Sequence, residues 1–248
     1  MRNLSLGWKN SGSFSIICDF DNTITSVDTT DALLSRFAPP EWEEIERQWV
    51  AGHITARECM AQQIGMLDLN LADLHNFLDK ISLDKGFKEF IAFVRRQKIN
   101  LTVVSDGLDY VIRHVLARHG LQDIPIIANQ LRIVESGYEL AFPHSRENCG
   151  SGVCKCAAAA SQSPVILIGD GRSDFCLASR AALVLAKRGL SLEAYCRENS
   201  LNYLPYDDFY KIIRILDCLQ HSQSVFHYNE ILRRLSPESE IKLARSGG

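Results

Sequence analysis

Apolar runs in this 248-residue chain are all short, pieces such as VILI at 165–168, against the roughly 20 residues a membrane-spanning helix requires. No helical span is expected. The polar opening MRNLSLGWKNSGS also lacks the apolar h-region of about 7–15 residues that a signal peptide carries, and a cytoplasmic protein is expected. Neither sign of charge dominates: Lys+Arg 27 against Asp+Glu 30 gives a net charge of −3, with pI ≈ 6.2. That balance argues against a chain that coats nucleic acid or an anionic membrane, while leaving room for a local basic pocket. Internal repeats are missing, and no C-x2-C knuckle organises the eight cysteines, which read as reduced thiols rather than a disulfide framework.

What is present is ordinary for a compact protein: 46% hydrophobic and 23% charged residues, enough to build a core and far from the regime of disorder. The length is compatible with one large domain or one domain carrying a smaller insert. FSIICDF (14–20), INLTVVS (99–105) and SPVILIG (163–169) have the pattern of strands buried on both faces, with IPIIA (124–128) and ALVLA (182–186) as shorter versions. Helical periods lie between them at 87–97, 108–120 and 172–182. Alternation of strand and helix predicts an α/β fold built on a doubly wound parallel sheet.

The rhythm breaks once. From Asp19 to Ser105 the chain runs 86 positions, although a crossover between parallel strands needs only about a dozen. The interval reads as helices throughout, so residues 27–83 are expected to form a small helical domain over the sheet edge, with 14–26 and 84–220 as the α/β core and 1–13 and 221–248 as flexible or surface termini. LRIVESGYELAF (131–142) predicts a hairpin with Ser-Gly at its turn, and FHYNEILRRL in the tail a surface helix.

Four motifs carry chemistry. DFDNT places Asp19 and Asp21 at the C-terminal end of the first strand, where open α/β sheets place their ligands. GDGRSD (169–174) brings Asp170 and Asp174 off another strand end. Four acids crowded on one edge repel one another unless a cation sits among them, and an all-oxygen set suits Mg²⁺ rather than Zn²⁺. VVSDG (103–107) offers the Ser105 hydroxyl and backbone N–H groups to an anion, and Lys155 supplies a point charge. Singly, each is equally well a helix cap, a turn or a solvated lysine; three acid or hydroxyl motifs that each terminate an apolar strand are a context, not a coincidence of residues.

Together these motifs resemble those of the haloacid dehalogenase superfamily of phosphohydrolases, with Asp19, Asp21 and Thr23, Ser105, Lys155, and Asp170 with Asp174 in the four motif positions. The resemblance implies a Rossmann-like core with a helical cap and hydrolysis of a small phosphate monoester. Asp19 would be the nucleophile and Asp21 the acid/base. Asp19, the Asp21 carbonyl and Asp170 would hold Mg²⁺ with support from Asp174, and Ser105, Asp106, Gly107 and Lys155 would hold the phosphoryl oxygens. FAPPEW (37–42), GFKEFIAF (86–93), PHS (143–145) and CRENSLNYLPYDDFYKI (196–212) are similar to the branch that acts on the methionine-salvage ester 2-hydroxy-3-keto-5-methylthiopentenyl-1-phosphate. The phosphoserine phosphatases are the second branch: Asp28 stands where they hold an ammonium group, but Gln63 stands where they carry a carboxylate-clamping Arg. A reading of another class is a phosphate-sensing module without turnover, but such a module needs neither the long insert nor the second acid. Finally, His144, Cys149, Cys154 and Cys156 have the chemistry of a structural zinc site without its usual spacing. The expected partner is a small-molecule ester and the expected state a monomer or homodimer.

Overall fold

The computed structural model describes residues 14–135, 137–162 and 164–221. The terminal segments and the FHYNEILRRL helix expected in the tail lie outside the described residues. A seven-stranded sheet runs in the order β4-β3-β2-β1-β5-β6-β7. Its strands are β1 Ser15–Cys18, β2 Asn100–Leu108, β3 Ile126–Val134, β4 Gly137–Ala141, β5 Val165–Gly169, β6 Leu183–Lys187 and β7 Tyr203–Tyr206. All neighbours are parallel except the β3–β4 pair.

Side-chain alternation along β1 divides the interior. Ile16 and Cys18 enter one apolar cluster with Val103, Ile166, Ile168 and Phe90, while Ile17 enters the other with Val104, Leu167 and Val184. A strand with both faces covered is a continuous apolar run, and every residue of β5 is buried. The chain leaves β1 toward β2 on one side and returns through β5 on the other. This reversal is the crevice where open α/β sheets bind their ligands.

Between β1 and β2 lie α1 Thr29–Phe37, α2 Trp42–Val50, α3 Ala56–Gly65, α4 Leu71–Leu78 and α5 Phe87–Arg96. Asp28 caps α1 by accepting from the Thr30 and Asp31 amides, and Thr55 with Glu58 forms a capping box on α3. The segment packs α3 against β4 and α4 against α6 (Asp109–Arg118). Two linkers connect it to the sheet, paired through a Thr25–Leu83 bridge and an Asp84 amide that donates to the Ile24 carbonyl at 2.7 Å. The Lys187 ammonium at the end of β6 donates to Asp84 Oδ2 at 2.6 Å and to the Asn22 carbonyl at 2.8 Å, holding both linkers to the sheet. Asn22 has a left-handed backbone (φ 52°), which asparagine tolerates better than most residues.

After β4 come α7 Lys155–Ala158, a 3₁₀ turn Arg172–Asp174 running into α8 Phe175–Ala178, α9 Ser191–Glu198 and α10 Phe209–His221. Three expectations are corrected. IPIIA and the first arm of the hairpin are one strand, because β3 leaves the parallel pairing with β2 and carries straight on into antiparallel pairing with β4. The helix expected over 172–182 breaks into the short 3₁₀ turn and α8. LNYLPY, for which no strand was expected, supplies β7; Pro205 is accommodated because the strand lies at the sheet edge, where a missing N–H costs no ladder bond.

Candidate active site

The register sets the site. Cys18, Val103 and Ile168 share one rung of the sheet, so Asp19, Ser105 and Asp170 all emerge within two residues beyond it. One ligand oxygen from each of Asp19, Asp170 and Asp174 can be chosen so that all three lie within 4.8 Å of one another. Among the described residues this is the one such group of three or more His, Cys, Asp or Glu side chains. The four zinc candidates are therefore not assembled: His144 is exposed, the Cys149 and Cys154 thiols contact each other, and the Cys156 thiol donates to the Cys176 carbonyl at 2.9 Å. Proximity in sequence did not bring the four ligand atoms together.

Lys155, fully buried as the first residue of α7, lies between two of the acids. Its ammonium is 2.8 Å from Asp19 Oδ2 and 2.6 Å from Asp174 Oδ1, and it donates to the Ser173 hydroxyl at 3.0 Å. Burial works against its charge, but Asp174 and Asp19 more than offset this and raise its pKa. Ser173 in turn donates to Asp19 Oδ2 at 3.3 Å, and the Phe20 amide donates to Asp19 Oδ1 at 2.8 Å. Asp174 has both oxygens occupied, one by Lys155 and the other by the Asp170 and Gly171 amides. Gly169 is obligatory beside it, since a Cβ there would collide with the Asp174 carboxylate.

Asp170 accepts from the Thr23 hydroxyl at 3.0 Å. Burial, then Asp19 and Asp174, push its carboxyl up to about 8, and burial with Asp19 pushes Asp174 up to about 6 against the opposing pull of Lys155. Three buried carboxylates that resist common ionisation and offer only oxygen fit a hard divalent cation. Removing the one cation now among them has a predictable cost. Lys155→Met should destabilise the metal-free chain by about 3–5 kcal/mol, the range for stranding a buried charge. Urea unfolding should show a smaller loss at pH 5 than at pH 8, because in the wild type Asp174 takes up its proton below about 6 and the ion pair that the substitution removes is already weakened there.

Asp21, partly buried, is held from the helical segment. Thr29, the first residue of α1, donates to Asp21 Oδ1 from its amide at 2.8 Å and its hydroxyl at 2.5 Å. Burial first, then Asp28, raise its pKa well above the carboxylate range, against the Thr29 hydrogen bonds. Gly107 passes so close that a Cβ would stand 2.5 Å from Asp21 Oδ2. The Gly107 amide donates to Ser105 Oγ at 2.9 Å. Asp106 behaves otherwise: its carboxylate accepts from the Val153 and Gly152 amides at 2.6 and 3.3 Å, and does not stand free for a ligand.

A cavity of about 740 Å³ opens above these groups, between the sheet edge and α1–α3. Asp28, Asp31 and Glu46 line one part of it, Trp49, Ile54 and Met60 another. Gln63 also borders it, but the buried side-chain amide is committed to Glu46 Oε2 at 3.0 Å and the Trp42 carbonyl at 3.3 Å. Across its mouth Arg172 stacks on the Trp49 ring at 5.0 Å. Sequence reading missed Ser173, Thr29 and the Arg172–Trp49 contact. Ser173 lay inside a motif already marked, whereas the other two pair residues that are distant in sequence or carry no motif.

The fold and site thus define an open-sheet α/β enzyme whose acidic, cation-compatible centre sits at the strand reversal. A family profile described as haloacid dehalogenase-like hydrolase matches residues 16–179, and the chain belongs to that family. Its expected class, phosphoric monoester hydrolase, stands. The chain is 31% identical over 214 residues to the 2-hydroxy-3-keto-5-methylthiopentenyl-1-phosphate phosphatase of Brevibacillus brevis, covering 83% of this chain and 96% of that one. It is 32% identical over 206 residues to the phosphatase of the same name from Exiguobacterium sp., covering 79% and 94%. Among solved structures, a phosphoserine phosphatase holding a phospho-aspartyl intermediate analogue superposes with a TM-score of 0.63 at 20% identity, over 82% of this chain and 99% of that one. A HAD family hydrolase from Salmonella enterica serovar Typhi gives 0.63 at 20%, over 83% and 75%. These two likenesses speak to fold. Among the described residues no helix is long and apolar enough to cross a membrane.

Proposed function

We propose that the chain hydrolyses a small phosphate monoester through an aspartyl-phosphate on Asp19, and that the ester is 2-hydroxy-3-keto-5-methylthiopentenyl-1-phosphate. The observation that carries the reaction type is the buried Lys155 ammonium bridging Asp19 and Asp174 at 2.8 and 2.6 Å. A cation held there lets an anionic phosphoryl group approach an anionic nucleophile. Ser105, the Gly107 amide and Lys155 hold the phosphoryl oxygens, and Asp21 protonates the leaving oxygen and then draws a proton from water. Asp19, the Asp21 carbonyl and Asp170 would hold Mg²⁺, oriented by Asp174; when bound it would neutralise charge on the phosphoryl oxygens. Residues 27–83 act as a cap over a core of 14–26 and 84–220, and exclude water from the reacting centre.

The substrate rests on the names of the two relatives and on the cavity, whose volume is ordinary for a metabolite and whose Trp49, Ile54 and Met60 side chains suit a thioether tail. Phosphoserine fits less well, since its carboxylate would face Asp28, Asp31 and Glu46 without a free Gln63 amide. The test is phosphate release with Mg²⁺ from a panel holding the enol phosphate, phosphoserine and an aryl phosphate, with Asp19→Asn as blank. A preference of about a hundredfold in kcat/KM, roughly 2.7 kcal/mol, for the enol phosphate is expected, together with reversible silencing by EDTA that Mg²⁺ repairs better than Zn²⁺. Preference for another ester displaces the substrate, and no release from any ester leaves a non-hydrolytic phosphate-binding module.

A further inference from the structure

The groups proposed to hold the phosphoryl oxygens come from two separate segments, Ser105–Gly107 in the last residues of β2 and Lys155 at the start of α7. No backbone ladder joins them, since α7 is reached only after the β3–β4 hairpin; apolar packing of Val153 with Val104 holds the two segments together without fixing their polar groups. Asp106 spans this gap. Its backbone lies between Ser105 and Gly107, yet its carboxylate turns to the loop before Lys155, where Oδ1 accepts from the Val153 amide at 2.6 Å and Oδ2 from the Gly152 amide at 3.3 Å. Its carbonyl is fixed from the other side by Nδ2 of the buried Asn129 on β3, at 2.5 Å. Gly152 closes the arrangement, since a Cβ there would stand 2.6 Å from the Asn129 side chain.

We infer that Asp106 is a positioning residue, which clamps the Lys155 loop to the phosphate loop and so sets the distance between Lys155 and the Ser105–Gly107 donors. The inference rests on the phosphatase reading above. A carboxylate facing a phosphate would repel it; here the charge is spent on two amides of buried residues, which would otherwise lack an acceptor and cost the desolvation of each N–H. Asp106 therefore acts through Lys155 and not on the phosphoryl group. Displacing a catalytic group by about 1 Å can cost on the order of a hundredfold, so the clamp has room to matter.

The experiment compares Asp106→Ala and Asp106→Asn with the wild type for aryl-phosphate hydrolysis in Mg²⁺, and measures the affinity of inorganic phosphate by calorimetry. Asp106→Ala should raise KM and weaken phosphate about ten- to a hundredfold, roughly the cost of one charge-assisted hydrogen bond from Lys155 to the phosphate. Asp106→Asn, which can still accept from Val153, should fall between it and the wild type. A merely structural role would instead lower kcat and the melting temperature while KM and phosphate affinity stay unchanged, and that pattern overturns the inference. The cycle with Lys155→Met gives a second reading: in that background Asp106→Ala should add less than about threefold, whereas a full, additive penalty shows independent action and overturns it. Should Lys155→Met fail to fold, the KM and phosphate results alone decide. A wild type without hydrolysis sinks the phosphatase reading and leaves the inference to be judged by phosphate affinity, supported by loss in Asp106→Ala and overturned by none.

Discussion

Asp19→Asn should abolish turnover, by roughly 10⁴ or more in kcat, while leaving a folded chain. The two halves have different causes. Turnover is lost because an amide cannot take the phosphoryl group as a carboxylate does, and the second displacement then has no substrate. The fold survives because β1 is held by its pairing with β2 and β5 and by the burial of Ile16, Ile17 and Cys18. The local balance also nearly cancels. The variant forfeits one of the two ion pairs of Lys155, but it relieves the repulsion that Asp19 exerts on Asp170 and Asp174. Circular dichroism and a melting curve should be close to those of the wild type, and labelled phosphate should be trapped on acid-quenched wild type but not on the variant. Residual activity above about a hundredth of wild type would sink the covalent reading.

The sequence made the strand ends legible because two independent signals coincide there. An apolar run marks β1, β2 and β5, and an acid or hydroxyl follows each one, so Asp19, Ser105 and Asp170 could be placed on one edge before any contact was known. The helical insert was legible from the interval length and the helical pattern of its residues, whereas its caps at Asp28 and Thr55 emerged only with the structure. Less could be read where the outcome depends on a partner distant in the chain. Nothing local tells that Asp106 points at Gly152 and Val153, that Thr29 holds Asp21, or that Gln63 is committed to Glu46. The hairpin was read but its continuity with IPIIA was not, because a strand that changes partners midway keeps the same local pattern. The edge strand β7 was hidden by Pro205, and the zinc expectation failed because proximity in sequence does not bring four ligand atoms together. In each case propensity and spacing name the residue type and tertiary contact fixes its direction.

Asp21→Asn should separate two roles that Asp19→Asn cannot. Asp21 is held by the Thr29 amide and hydroxyl through Oδ1, while Oδ2 lies against Gly107. An asparagine can keep the Oδ1 interactions, so geometry should persist while the proton donor is lost. Burial and Asp28 raise the pKa of Asp21, so its acid form persists closer to neutral pH than that of an ordinary carboxyl. Activity that depends on this acid should fall as pH rises through that raised value, and the alkaline limb should change in the variant. The loss expected is about 10² to 10⁴ in kcat, and its dependence on leaving group is the diagnostic. An alkyl alkoxide needs the proton to depart, so its ester should lose the full factor in the first step. A nitrophenolate departs unaided, so aryl phosphate should still phosphorylate Asp19 and then stall, because the same residue is needed to take a proton from the attacking water. Rapid-quench kinetics should show a burst of nitrophenol followed by slow turnover and an accumulating phosphoenzyme. Equal losses for alkyl and aryl esters, with no burst, would show that Asp21 holds structure and moves no proton.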